Sequence, residues 1–221
     1  MLCSNGAMRL GLWLLFVGGF AALNLYGRSA GPRPDDDVVY QYDFAVGSLA
    51  GYAVLLSLVF ALTVGLPRRE VLALRRPASW GRALGLALGA LVVIYVGAVV
   101  TLIVAGAGDE QNLAPEGWDG SRAGAYALSF VAVVFAAPIT EELLYRGVGL
   151  TLLLARGGTV VAVGVTAALF GLGHGLLLSL AAFIWFGIVI AVLRLRTDSI
   201  YPAFVVHCTF NAIGMVAPLL L

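Results

Sequence analysis

The chain has 221 residues, of which 61% are hydrophobic and only 11% are charged, and its mean hydropathy is +0.99. Ordinary soluble domains are about 45–50% apolar and about 25% charged, so this composition excludes a soluble enzyme and a disordered chain. The formal net charge of +1 excludes the large basic surface of a nucleic-acid-binding protein, and we expect no nucleic acid among its partners.

The first half of the chain contains three hydrophobic stretches long enough to cross a bilayer, which takes about 20 apolar residues. They lie at residues 8–26, 44–66 and 83–106. We interpret the first stretch as a retained span rather than a cleaved signal peptide, because it is long and no small-residue cleavage motif follows it cleanly.

The loops between these spans differ in charge. Loop 67–82 carries five arginines and one glutamate, whereas loops 27–41 and 107–122 contain acidic clusters. Because Lys and Arg concentrate in cytoplasmic loops, we predict that loop 67–82 is cytoplasmic and that the two acidic loops lie outside. The N-terminus is then expected in the cytoplasm.

The second half of the chain is almost continuously hydrophobic. Its apolar runs lie at residues 123–140, 143–155, 159–174, 176–193 and 200–221. Only helices or closed barrels satisfy the backbone in lipid, and these runs do not alternate as barrel strands do. We therefore predict an all-α polytopic membrane helix bundle with seven or eight membrane segments. Residues 1–122 supply N-terminal spans and loops, and 123–221 form a helical core within one integral domain.

Ionisable and polar residues inside these runs are costly in lipid, so each is a functional hypothesis. They form three clusters, at residues 141–146, 170–174 and 207–211. The chain has only two histidines, and both lie in these clusters. A single cluster has a structural alternative, such as neutralisation of Arg146 by both neighbouring glutamates. The three together indicate a site.

Helical spacing separates the roles of the clustered residues. Glu142 and Arg146 are i,i+4 neighbours and can pair, whereas Glu141 points about 100° away around the helix. The Glu141 carboxylate is then free to act as a general acid or base in a cavity. His207 and Asn211 also share one helix face. Cys208, adjacent to His207, points away from it, and we interpret it as a small apolar filler.

Two chemistries are compatible with these residues. Glu141, His174 and His207 can supply three zinc ligands and leave the fourth position open. Alternatively, Glu141 activates water with help from His174, while His207 and Asn211 stabilise the tetrahedral oxyanion. The spacing does not decide between them.

Three motifs in this order resemble those of the CPBP intramembrane endopeptidases, also called the CAAX-protease or Abi family. They are EELLYRG at 141–147, FGLGH at 170–174 and HCTFN at 207–211, and the resemblance covers about residues 123–215. It implies an endopeptidase of a bacterial or archaeal cell membrane that cuts a membrane-associated protein or peptide near its C-terminus.

The resemblance also implies roles for individual residues. Glu141 would be the water-activating carboxylate, His174 its assistant, and His207 with Asn211 the oxyanion site. The supporting residues would be Glu142, Arg146 and Phe170. The family was first classed as metalloendopeptidases and later as metal-free glutamate proteases. We favour no metal cofactor, because Asn is a poor zinc ligand, with zinc as the alternative.

The rival function is that of a non-enzymatic membrane protein, either a small transporter or an immunity scaffold. A transporter would show polar residues along a path through paired spans. Here the polar residues gather in the second half, and the N-terminal spans are expected to lack them. This distribution favours an enzyme.

Membrane depth constrains the topology, because Glu141 and His174 must meet. If 123–155 were one long helix, we would expect these residues in opposite halves of the bilayer. We therefore predict that 143–155 is a separate, kinked or re-entrant segment. Loop charge favours the single helix, which places Arg156, Arg194 and Arg196 in the cytoplasm.

Overall fold

A computed structural model describes residues 6–31, 37–106, 110, 113, 115 and 117–220. Every regular element in these parts of the chain is helical, which confirms the all-α prediction. The acidic residues Asp35, Asp36, Asp109 and Glu116 of the predicted outer loops lie outside the described residues. Within the described parts of the chain, six helical stretches are long and apolar enough to cross a membrane: Gly6–Ala30, Tyr42–Leu62, Trp80–Ala105, Gly120–Gly173, Leu180–Thr197 and Tyr201–Leu220.

The first half of the chain forms three long helices and one short helix. They are α1 (Gly6–Ala30), α2 (Tyr42–Leu62), α3 (Arg68–Val71) and α4 (Trp80–Ala105). The Ser79 side chain accepts the N–H of Arg82 and so caps the start of α4, and Gly106 ends it in a left-handed conformation with φ 67°.

The central stretch of the chain is helical without interruption from Gly120 to Gly157, and it includes two π-helical segments. In order it consists of a short 3₁₀ turn, α5 (Ala123–Val131), a first π segment (Ala132–Ala136), α6 (Ala137–Glu141), a second π segment (Glu142–Gly149) and α7 (Leu150–Gly173). The break comes inside α7, where Gly158 has φ 69° and ψ −176°. Such a conformation favours glycine.

The chain folds back on itself at Gly158. The Arg146 guanidinium lies 4.4 Å from the centre of the Phe170 ring, although a straight helix would separate residues 24 positions apart by about 36 Å. The stretch therefore consists of two antiparallel arms. The prediction that 143–155 is a separate segment is wrong, because 123–140 and 143–155 lie in the first arm and 159–174 lies in the second. Among the described residues, the six candidate spanning helices are slightly fewer than the seven or eight predicted segments, and the stretch that folds back at Gly158 counts as one of the six.

The fold-back also explains how Glu141 and His174 converge. Residue 142 precedes Gly158 by 16 positions (158 − 142), and residue 174 follows it by 16 (174 − 158). Antiparallel arms of equal length place these two positions side by side, since both arms rise equally per residue. A long helix from 123 to 157 therefore brings the motifs together, contrary to the expectation that it would separate them.

The last two helices, α8 (Leu180–Thr197) and α9 (Tyr201–Val216), complete the bundle. A Cβ on Gly187 of α8 would lie 2.9 Å from the Cα of Ala167, so the glycine allows α8 and α7 to pack closely. Trp13, Phe170 and Ile190 are fully buried at the centre of the bundle. By contrast, Leu88 and Ile103 on α4 are 68% and 75% exposed, as expected for a lipid-facing surface.

Candidate functional site

A cavity of about 850 Å³ lies between α1, α2, α8, α9 and the two arms of the central stretch. Glu141, His174, His207 and Asn211 all line it. The four residues predicted to be catalytic come from three different parts of the helical framework, and the structure brings them into one space.

The two adjacent glutamates occupy different environments. The Glu141 side chain is 16% exposed and faces the cavity, whereas the side chains of Glu142 and Arg146 are completely buried behind it. Glu142 Oε1 lies 3.3 Å from Arg146 Nη1, so the predicted i,i+4 pair is present. Arg146 Nη2 also donates to the carbonyl of Gly187 at 3.3 Å. Phe170 covers the guanidinium from the second arm.

His207 contacts both glutamates. Its Nδ1 lies 2.9 Å from Glu142 Oε1, and its Nε2 lies 3.8 Å from Glu141 Oε2. Because an ionised carboxylate only accepts, Nδ1 donates to Glu142 and Nε2 points toward Glu141. Phe186 packs edge-on against the ring, with centroids 4.8 Å apart, and fixes its plane. The i,i+4 spacing predicts the pairing of Glu142 with Arg146 but not this contact with His207.

His174 is oriented by the residue one turn before it. The carbonyl of Phe170 accepts a hydrogen bond from His174 Nδ1 at 2.8 Å. A carbonyl can only accept, so Nδ1 carries the proton and Nε2 holds a lone pair. The ring stacks on Phe183 with centroids 3.9 Å apart. His174 is therefore held in a form that can accept a proton at Nε2.

Asn211 is anchored to the first π segment. Its Nδ2 donates to the carbonyl of Val133 at 2.8 Å. In this segment the N–H of Ala137 bonds to the carbonyl five residues earlier, at Ala132. The corresponding donor for Val133 would be residue 138, which is proline and has no N–H. Asn211 supplies the missing donor, and one carboxamide N–H remains for other partners.

The N-terminal helices also contribute polar residues to the cavity wall. Asn24 and Arg28 of α1 line it, as do Ser48 and Tyr52 of α2. The expectation that the N-terminal spans lack polar residues at the site is therefore wrong. Asn24 Nδ2 donates to the carbonyl of Gly173 at 2.6 Å, next to His174. Asn24 and Arg28 are i,i+4 neighbours on an apolar helix, and so are Ser48 and Tyr52. This spacing in the sequence indicates that the members of each pair share one helix face.

Glu141, His174 and His207, the three ligands of the zinc alternative, all line the cavity. Among the described residues, no three His, Cys, Asp or Glu side chains are placed together as ligands for a metal ion. Nδ1 of each histidine is bonded within the protein, to Glu142 in His207 and to the Phe170 carbonyl in His174, so Nε2 is the ring nitrogen left in both. Cys208 is a half-buried free thiol.

One comparison with known proteins gives a match. Residues 123–213 match the model of a family described as type II CAAX prenyl endopeptidase, Rce1-like. The matched region contains all three sequence motifs and confirms the resemblance noted from them. No curated protein and no solved structure matches the chain.

Proposed function

We propose that this protein, whose residues 123–213 belong to the CPBP/CAAX protease family, hydrolyses a peptide bond of a membrane-associated protein or peptide near its C-terminus. The observation that carries the proposal is the shared cavity of Glu141, His174, His207 and Asn211. A carboxylate, a bare imidazole nitrogen and two potential oxyanion donors are the groups that peptide hydrolysis without a metal requires.

In the proposed reaction, Glu141 takes a proton from a water molecule as the water oxygen attacks the peptide carbonyl carbon. His174 Nε2, which has a lone pair in this arrangement, accepts a hydrogen bond from the same water and orients it. The tetrahedral intermediate collapses when the C–N bond breaks, and the proton held by Glu141 passes to the leaving nitrogen. Glu141 suits this task because it is the glutamate that reaches the cavity.

The developing oxyanion would be stabilised by His207 and Asn211. The free carboxamide N–H of Asn211 is one donor. His207 Nε2 is the other when the ring carries both protons, and the Glu142 carboxylate at 2.9 Å from Nδ1 balances the resulting charge. In this proposal Glu142 positions His207, while Arg146 compensates the Glu142 charge within the protein interior. Removal of one oxyanion donor typically lowers kcat by about 10²–10³.

The test compares membrane proteomes of cells that express wild-type protein, Glu141→Gln, His174→Ala or His207→Ala. Mass spectrometry would identify polypeptides with new C-termini. We expect these in the wild type only, with equal membrane insertion of all variants, because loss of a general base typically costs about 10²–10⁴ in rate. Asp43→Asn is the matched control, since Asp43 is an exposed carboxylate outside the cavity lining.

Unchanged cleavage by Glu141→Gln would refute the assignment of the general base. If no new C-terminus depends on any of these residues, the protein is not a protease, and a transport or scaffold function would replace the proposal.

A further inference from the structure

The two ends of the bundle differ sharply in charge. Nine of the 13 arginines lie at one end, here called the basic end, together with only two acidic residues, Glu70 and Asp198. These nine are Arg9, Arg68, Arg69, Arg75, Arg76, Arg82, Arg156, Arg194 and Arg196.

Direct contacts hold the basic end together. Arg9, near the start of α1, donates to the carbonyls of Leu62 and Val64 at the end of α2. The Arg75 guanidinium pairs with Asp198, which follows α8.

The start of α7 belongs to the same end of the bundle. Thr151 Oγ1 donates to the carbonyl of Val71 at 2.9 Å, and a Cβ on Gly6 would lie 2.6 Å from Arg156 Nη2. The start of α1, the end of α2, the fold-back at Gly158 and the end of α8 therefore share one end of the molecule.

The opposite end, here called the acidic end, has the reverse balance. Its described acidic residues are Asp37, Asp43, Glu110 and Asp119, and its described arginines are Arg28 and Arg122. Arg122 is neutralised by Asp37 at 2.8 Å and Asp119 at 2.5 Å. The remaining arginine between α1 and α2, Arg33, lies outside the described residues.

The catalytic cavity opens at the acidic end. Its outer wall includes Arg28 at the end of α1, Phe44 at the start of α2, Leu113 before the central stretch, Leu176 before α8 and Gly214 near the end of α9. All of these positions border the loops and termini of the acidic end. None of the nine arginines of the basic end lines the cavity.

We infer that the cavity opens toward the non-cytoplasmic side of the membrane, and that its substrates are polypeptide segments already translocated to that side. Short loops rich in arginine stay in the cytoplasm during insertion, so the basic end is the cytoplasmic end. The mouth of the cavity then faces outward. The orientation stands on charge and geometry alone, whereas the substrate class rests on the proposed function.

This orientation predicts which peptide bonds can be cut. A segment on the outer face, or one in the outer half of a spanning helix, can enter between the ends of α1, α2 and α9 without crossing the bilayer. A protein anchored only to the cytoplasmic leaflet cannot reach Glu141 by that route.

Labelling of single cysteines in intact cells tests the inference without a known substrate. The background is full-length protein with Cys3→Ser and Cys208→Ala. Ser29→Cys marks the acidic end, and Ala78→Cys marks the basic end; both positions are exposed and neither change alters charge. Ser48→Cys probes the cavity wall. The probe is a charged maleimide that does not cross membranes.

We expect label on Ser29→Cys and Ser48→Cys in intact cells, and label on Ala78→Cys only after permeabilisation. Label on Ala78→Cys in intact cells, or protection of Ser29→Cys, would overturn the orientation. Ser48→Cys that reacts only after permeabilisation, or not at all, would overturn outward access. The proteome comparison reports protease activity separately, so failure of either proposal is recognised independently.

Discussion

Replacement of Glu142 by glutamine should destabilise the protein strongly. The substitution keeps the shape of the side chain but removes the negative charge beside Arg146, whose side chain is completely buried. Arg146 Nη1 lies 3.3 Å from Glu142 Oε1 and makes no hydrogen bond among the described residues, so charge dominates this contact. The remaining hydrogen bond of the guanidinium, to the carbonyl of Gly187, does not neutralise it.

The size of the effect follows from burial. Loss of one partner of a buried ion pair typically costs about 3–5 kcal/mol, because the other charge stays unpaired in a low-dielectric interior. For a chain of this length, 1 kcal/mol corresponds to about 2–4 °C in Tm, so we expect Tm to fall by about 6–20 °C. Tryptophan fluorescence of the purified protein in detergent, recorded during heating, measures this shift.

Two control variants separate stability from catalysis. Glu141→Gln should leave Tm close to that of the wild type, since the Glu141 carboxylate faces the cavity, but it should lose activity. Glu142→Gln combined with Arg146→Met removes both charges and should recover most of the lost stability. The double variant should still cleave poorly, because a neutral carboxamide no longer balances the charge of His207 at 2.9 Å.

The opposite pattern would refute this reasoning. If Glu142→Gln melts at the wild-type temperature and is inactive, while Glu141→Gln melts far lower, the roles of the two glutamates are exchanged. If the double variant is as unstable as Glu142→Gln alone, the unpaired Arg146 is not the cause of the loss.

Two further predictions concern packing and pH. Gly149→Ala should lower the free energy of unfolding by about 1–3 kcal/mol, since its Cβ would lie 2.2 Å from Trp13 Cζ2. Gly89→Ala is the control and should leave the free energy of unfolding unchanged, because a Cβ there would have no atom within 4 Å. Equal melting temperatures of the two variants would contradict this prediction. Hydrogen bonds, the strongest from the Ser121 hydroxyl, hold the pKa of Asp119 at about 2, below its usual 3.8. Asp119→Asn should therefore lower Tm at pH 7. The difference in Tm between this variant and the wild type should vanish as pH falls from 3.8 toward 2, where the wild-type carboxylate becomes protonated. A Tm difference that does not change over this pH range would contradict the prediction.

Local helical periodicity made part of the site predictable. Glu142 and Arg146 pair because they lie one turn apart in the same helix, and the same spacing puts His207 and Asn211 on one face of α9. The contact between His207 and Glu142 spans 65 positions in the chain. It depends on how α9 packs against the central stretch, which no local pattern specifies.

Two adjacent charged residues in an apolar run indicate a boundary between membrane segments, but the structure has no boundary at Glu141 and Glu142. The helix continues through Glu141 and Glu142, since Arg146 neutralises one carboxylate from within the helix and the other faces a cavity. The actual reversal is at Gly157 and Gly158, where a glycine with positive φ lets the chain turn. The loop charges favoured a single long helix, and the structure places Arg156 beside Gly6 at the same end of the bundle as Arg194.

The pairing of Asn211 with the first π segment explains why an amide suits this position. Pro138 removes the N–H that the π-helical ladder would offer to the Val133 carbonyl, and a partly buried carbonyl without a donor is costly. A side chain that only accepts would leave Val133 unsatisfied, and one with a single N–H would be used up by it. A carboxamide has two N–H groups, so Asn211 can satisfy Val133 at 2.8 Å and still donate to an oxyanion. The same bond fixes the side chain, so the free N–H is oriented before a substrate enters.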